Sequence, residues 1–209
     1  AAAVVALVAF AGVKTPKFEP DPYWPKPLPN NWMLGGNGGV FVDSHDHIWV
    51  ANRPRSLQSN DKYAAMSPPQ GDCCVPAPSI VEFDMAGNLI QAWGGPGPGY
   101  EWPDTEHGIF VDHKDNVWLV GNGGKDTMAL KFTKNGKFLL QIGKKGVTGG
   151  SNDTANLNRA AGIAVWAKTN EVFIADGYGN RRVIVYDADT GAYKRHWGAY
   201  GKKPDDKAS

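Results

Sequence analysis

Alternation of apolar and polar positions dominates the middle of the chain. In GVFVDSHDHIWVAN (Gly39–Asn52), GIFVDHKDNVWLVG (Gly108–Gly121) and GIAVWAKTNEVFIAD (Gly162–Asp176), an alternating run meets a polar turn and then a second alternating run. The third copy carries one extra residue in its turn. Successive side chains of a strand point to opposite faces, so this period of two predicts β-hairpins. A second hairpin ending in glycine follows each copy: SIVEFDMAGNLIQAWG (Ser79–Gly94), MALKFTKNGKFLLQIG (Met128–Gly143) and VIVYDADTGAYKRHWG (Val183–Gly198). Their turns, MAGN, KNGK and ADTG, supply the Gly and Asn that positive φ demands.

Four strands in a unit of roughly forty residues, repeated, predict the blades of an all-β propeller. A β-sandwich does not naturally give one four-strand motif three times. The blades are expected at about 39–94, 108–143 and 162–198, the first interrupted by the insertion RPRSLQSNDKYAAMSPPQGDCCVPAP between its second and third strands. Rings of roughly four to eight blades close on themselves and three do not. Three blades therefore predict half of a six-bladed ring continuing past both ends of the chain, with a dimer of half-rings as the alternative. NNWMLGG (Asn30–Gly36) reads either as the end of a blade or as part of a lead-in segment.

Composition agrees with a turn-rich β protein: among 209 residues there are 26 Gly, 15 Pro and 8 Trp. With 22 basic residues against 21 acidic ones, no cationic surface for nucleic acid or anionic lipid is expected. The opening AAAVVALVAFAG is too short to span a bilayer and ends in the small-x-small pattern Ala9-Phe10-Ala11. Residues 1–11 are thus expected to be a signal-peptide remnant, 12–30 a proline-rich segment and 31–209 the partial propeller. The protein is expected to be secreted or periplasmic. In an oxidising compartment Cys73 and Cys74 should be oxidised, as a vicinal ring or in bridges to other cysteines; a reactive thiol pair is the third option.

The repeat, a GI-V strand, a turn, V-W/F-I-A-D, then V-F/Y-D and a W/I-G end, resembles the NHL repeat family of propellers between Gly39 and Gly198. EHGIFVD (Glu106–Asp112), IADGYGNRRV (Ile174–Val183) and the WGAYG tail are similar, more narrowly, to the peptidyl-α-hydroxyglycine (peptidylglycine) α-amidating lyases. That resemblance implies a six-bladed propeller with a zinc ion, a structural calcium ion and an active site at the central cavity. It implies His107 as one of three zinc ligands, with the backbone carbonyls of Val40 and Ile109 on calcium. It implies Tyr178, within DGYGN, and Arg53, within ANRPR, as catalytic residues. Animal lyases carry a disulfide between positions that correspond here to Gly179 and about Asn158, so that staple is absent and packing is expected to hold the loop.

The implied reaction cleaves a hydroxylated C–N bond to give an amide and an aldehyde, on a small α-hydroxylated amide or a peptide ending in hydroxyglycine. A zinc ion lowers the pKa of a bound hydroxyl, a tyrosine between metal and arginine serves as base, and an arginine fork anchors carbonyl or carboxylate oxygens. The bland alternatives are a hydrogen-bonded strand-start histidine for His107, a groove-filling Tyr178 and a surface ion pair for Arg53. Arg181 and Arg182 are expected to cap a strand and pair with acids such as Asp176. His45, His47 and His113 are expected to face solvent in turns, and His196 to be structural. The partners expected are a small-molecule or peptide substrate, or a protein at one rim of a non-catalytic propeller. Nucleic acid is not expected, nor a membrane once the leader is removed.

Overall fold

A computed structural model describes residues 15–207. The expected leader, residues 1–11, lies outside the described residues. Three four-stranded antiparallel sheets account for nearly all regular structure. The first holds β2 (Gly36–Val42), β3 (Ile48–Arg53), β5 (Ile80–Phe83) and β6 (Leu89–Trp93). The second holds β7 (Glu106–Val111), β8 (Asn116–Gly121), β9 (Met128–Thr133) and β10 (Phe138–Gly143). The third holds β11 (Gly162–Trp166), β12 (Glu171–Asp176), β13 (Arg182–Asp187) and β14 (Tyr193–Trp197). Each sheet pairs its strands in chain order, and the first strands β2, β7 and β11 lie side by side. These are three consecutive blades of a β-propeller. Among the described residues no helix is long and apolar enough to cross a membrane.

Local chemistry explains the hairpins. Gly87, Gly136 and Gly191 turn the outer hairpins at φ of +80°, +79° and +71°. In the inner hairpins the positive-φ position falls to Asp46, Asp115 and Asn170, residue types that tolerate it best after glycine. In the first two blades an aspartate staples that turn. Asp43 Oδ1 accepts the amides of His45 (2.8 Å) and His47 (3.0 Å), and Oδ2 accepts the Trp49 indole N–H (2.9 Å). Asp112 does the same for Lys114, Asn116 and Trp118, each at 2.9 Å. The third blade has Trp166 and Phe173 at the matching positions and no staple.

The alternating faces of neighbouring blades interlock. Trp49, Ala51 and Ile80 meet Ile109, Val117, Leu119 and Phe132 between the first two blades. Trp118, Val120 and Ile142 meet Ile163, Val172, Ile174, Ile184 and Tyr186 between the second and third. The inner strands approach so closely that a Cβ at Gly38 or Gly39 would collide with the carbonyls of Glu106 and His107. This is the packing reason for the glycine that opens the first copy of the repeat; Gly108 in the second is likewise crowded, by Val120 and Gly162, while Gly162 in the third faces open space.

In NNWMLGG the final glycine, Gly36, already opens β2, and the residues before it precede the first blade. Among those residues β1 (Trp32–Met33) pairs in parallel with β4 (Val75–Pro76) of the insertion. Trp24, Leu28 and Leu34 cover the face of the first blade that points away from the second. Of the three options for the cysteines, the structure contains the vicinal disulfide, Cys73–Cys74.

Candidate active site

One rim of the arc gathers three side chains, each placed by a different blade. Arg53 is the last residue of β3, and its Nε–H donates to the Glu106 carbonyl at 2.6 Å. His107, the second residue of β7, is half-buried. Tyr178 sits in the 177–181 loop joining β12 to β13, a position 53% exposed. Its hydroxyl lies 3.1 Å from His107 Nε2, with ring centroids 5.3 Å apart. The chain segments between these residues are long, so only the ring of blades brings them together.

Burial, and secondly the charge of Arg53, hold the His107 pKa below its ordinary 6.5, while a hydrogen bond to the Ala161 backbone draws it the other way. The shift favours the neutral ring. A neutral imidazole has one N–H and one lone pair. Nε2 of the ring and the Tyr178 hydroxyl face one another as a hydrogen-bonded pair. Beside this pair, Arg53, Arg55, Ser56, Asp104, Thr105 and Glu106 line a cleft of about 230 Å³. Arg55 Nη1 is tied to Asp104 Oδ1 at 3.2 Å, leaving Arg53 as the guanidinium next to His107.

Sequence reasoning does not single out Glu106. Its carboxylate is 1% exposed, and Oε1 accepts from Ser79 Oγ and Trp102 Nε1, both at 2.7 Å. Oε2 is buried without a partner among the described residues. An acid one place before His107 is the only local signal; the aromatic lid comes from Trp102 and is visible only in three dimensions.

The loop carrying Tyr178 is held more firmly than packing alone would hold it. The amides of Tyr178 and Gly179 donate to the carbonyls of Arg159 (3.3 Å) and Asn158 (3.0 Å). Gly179 stands against the Asn158 side chain, so a Cβ there would overlap it. Arg182 pairs with Asp176 at 2.9 Å as expected, but both side chains are fully buried and not at the surface. Arg181 instead donates its amide to Ser151 Oγ at 2.9 Å.

Val40 and Ile109 occupy matching positions on the neighbouring inner strands β2 and β7, opposite Val50 and Leu119. His107 is one nitrogen donor, against the three protein ligands a catalytic zinc takes. His113 lies in the turn between β7 and β8, His196 on β14 with its Nδ1 2.8 Å from Tyr193 Oη, and neither reaches this rim. Among the described residues His107 is thus the one histidine at this rim.

A second group of metal-capable side chains lies at the opposite end of the first hairpin. Donor atoms of Asp43, His47 and Glu82 fall within 4.8 Å of one another. Here the sequence expectation for His47 needs correction: the ring folds inward and Nδ1 lies 2.8 Å from Glu82 Oε1, because a buried carboxylate draws any available N–H. Lys134 of the second blade already brings a cation to this cluster, 3.2 Å from Glu82 and 3.7 Å from Asp43. Gln91 at 2.5 Å and Trp49 take the remaining acceptor positions.

No family model matches the chain. It is similar to a probable peptidyl-alpha-hydroxyglycine alpha-amidating lyase of Caenorhabditis elegans, 32% identical over 82 residues, which is 39% of this chain and 22% of that protein. It is also similar to NHL repeat-containing protein 3 of Mus musculus, 25% identical over 185 residues, 85% of this chain and 45% of that protein. Among solved structures, virginiamycin B lyase from Staphylococcus aureus aligns with a TM-score of 0.44 at 15% identity, over 80% of this chain and 43% of that one. The chain spans less than half the length of these curated relatives. Its homologues are NHL repeat-containing proteins and peptidyl-α-hydroxyglycine α-amidating lyases.

Proposed function

We propose that this chain carries part of the active site of a carbon–nitrogen lyase of the peptide-amidating type, acting on an α-hydroxylated amide. The observation that carries the reading is the meeting of Arg53, His107 and Tyr178 at one rim, with His107 Nε2 and Tyr178 Oη 3.1 Å apart. The reaction breaks one bond and relocates one proton. A base removes the hydroxyl proton, the C–O bond becomes C=O, and the C–N electron pair leaves on nitrogen, which is then protonated to the amide. Tyr178, in its phenolate form, is the residue placed to accept the hydroxyl proton and become the phenol, with His107 Nε2 beside its oxygen. Arg53, fixed through Nε to the backbone, keeps its two terminal nitrogens for a carboxylate or carbonyl oxygen. The Arg53–Glu106 cleft is where that oxygen would rest.

A zinc ion, when bound, would lower the pKa of the substrate hydroxyl, and His107 is the residue here that would hold it, its Nε2 exchanging the contact with Tyr178 for the metal. Val40 and Ile109 would offer carbonyl oxygens to a structural calcium ion. Further zinc donors would have to come from outside this set, so no step above depends on metal. The protein in this reading is secreted, which the Cys73–Cys74 disulfide supports. The test is glyoxylate release from an α-hydroxyglycine peptide. Activity that survives chelation, or an unaltered rate in Tyr178→Phe, would contradict it.

A second reading is a non-catalytic NHL propeller that binds a ligand or protein at one rim. The alignment with NHL repeat-containing protein 3 favours it, because it runs over 85% of the chain where that with the lyase runs over 39%. Peptide binding without product release would support this second reading.

A further inference from the structure

In each blade one buried polar side chain ties the loop after the second strand to the segment that leads into the first. Asn52 takes the amide of Gly35 at 2.8 Å. Asp126 takes those of Asp104 (2.7 Å), Thr105 (2.9 Å) and Gly123 (2.7 Å). Asp176 takes that of Asn158 at 2.9 Å. Only the third of these three ties is joined by a buried arginine. Arg182, on β13 directly opposite Asp176, gives Nε to Asp176 and its terminal nitrogens to the carbonyls of Ser151 (3.1 Å), Asp153 and Asn156 (2.6 Å). Asn180 completes the carboxylate at 2.7 Å.

A charge pair without water is costly unless its remaining donors are satisfied, and here they are satisfied by one stretch of backbone. That stretch, residues 151–159, is the ledge on which the Tyr178 loop rests, through the amides of Tyr178 and Gly179 on the carbonyls of Arg159 and Asn158. The ledge is also fixed to the second blade, where Leu157 and Arg159 donate to the carbonyls of Thr127 (3.0 Å) and Asp126 (2.8 Å). The loop itself begins and ends at Asp176 and Arg182, which are paired in register.

We propose that Asp176 and Arg182 form a positioning clasp that sets Tyr178 over His107 by fixing the 151–159 ledge between two blades. Its catalytic meaning rests on the lyase reading, whereas the positioning itself does not. Histidine ring 15N spectra of the intact protein test it, with His107 assigned from a His107→Gln variant and the displacement in Tyr178→Phe as the reference. Arg182→Met is expected to move the His107 ring signals by most of that displacement. Arg182→Lys, which can keep the bond to Asp176 but not the three carbonyls, is expected to fall between. A wild-type His107 signal in Arg182→Met, even with a lowered Tm, overturns the proposal, because a merely structural clasp would cost stability and leave His107 untouched. Should Arg182→Met fail to fold, the isosteric Asp176→Asn is read in the same way.

Where wild-type protein releases glyoxylate, Arg182→Lys is expected to lower kcat on the order of 100-fold with KM little changed, as misplacement of a reacting group does. No release by the wild type would end the lyase reading and leave the spectroscopic outcome to decide the clasp.

Discussion

Tyr178 makes one side-chain hydrogen bond and is half-exposed, so its hydroxyl can be removed at small cost to the fold. Tyr178→Phe is expected to lose about 0.5 kcal/mol of stability at most and, in the lyase reading, at least about 100-fold in rate. Urea melts and glyoxylate assays on one preparation separate the two effects. His107 gives a pH signature. Its folded pKa lies below the ordinary 6.5, so as pH falls the unfolded chain takes the proton first. The stability it contributes is full above 6.5 and is lost as pH falls from 6.5 toward the lower folded value. Denaturant midpoints across that window should slope more steeply in the wild type than in His107→Gln. Equal slopes would show that His107 is not held neutral. His107, Tyr178 and Arg53 were each picked out from sequence by resemblance to the lyases, and the structure brings the three side chains to one rim. Glu106 and the inward turn of His47 were not, because both depend on side chains brought in from distant strands.

Hairpins are the next scale, and their charged side chains carry distinct loads. Asp112 accepts two turn amides and an indole N–H at once, the indole bond buried and the two amides partly so. Asp112→Ala leaves those donors unmatched and is expected to cost about 3 kcal/mol, read from urea unfolding. Glu171 on β12 is gripped by both terminal nitrogens of Arg195 on β14, at 2.7 and 2.9 Å. The Arg195 hydrogen bonds first, against the opposing effect of burial, bring its pKa from 4.5 to about 2. A depressed carboxylate stabilises the fold above its unfolded pKa and loses that contribution as pH falls through its folded one. The stability difference between wild type and Arg195→Gln should therefore be constant above pH 4.5 and shrink toward zero near pH 2. A difference that persists unchanged at pH 2 would refute the assignment. The hairpins and their turn residues were readable because they depend on a period of two and on positive-φ chemistry within a few residues.

At the scale of the whole molecule, blade-to-blade packing sets the distance between the catalytic candidates. Trp118 is fully buried between the second and third blades, the two that carry His107 and Tyr178. Trp118→Ala is expected to cost about 3–5 kcal/mol and to loosen the His107–Tyr178 pair with it, which the histidine spectra would register. An unchanged His107 signal would mean that the two blades hold register without it.

The sequence by itself determined the four-strand repeat, the position of its turns, the all-β class and the short stretches that hold Arg53, His107 and Tyr178. Those features depend on local sterics and on alternation, which a chain expresses residue by residue. Only the tertiary structure decided that these three side chains share one rim. It likewise decided that Asp176 and Arg182 are buried beneath the tyrosine loop, that His47 turns to Glu82, and that the lead-in segment lies on the first blade. Each of these is a contact between residues far apart in the chain, made favourable by burial that exists only once the blades have packed.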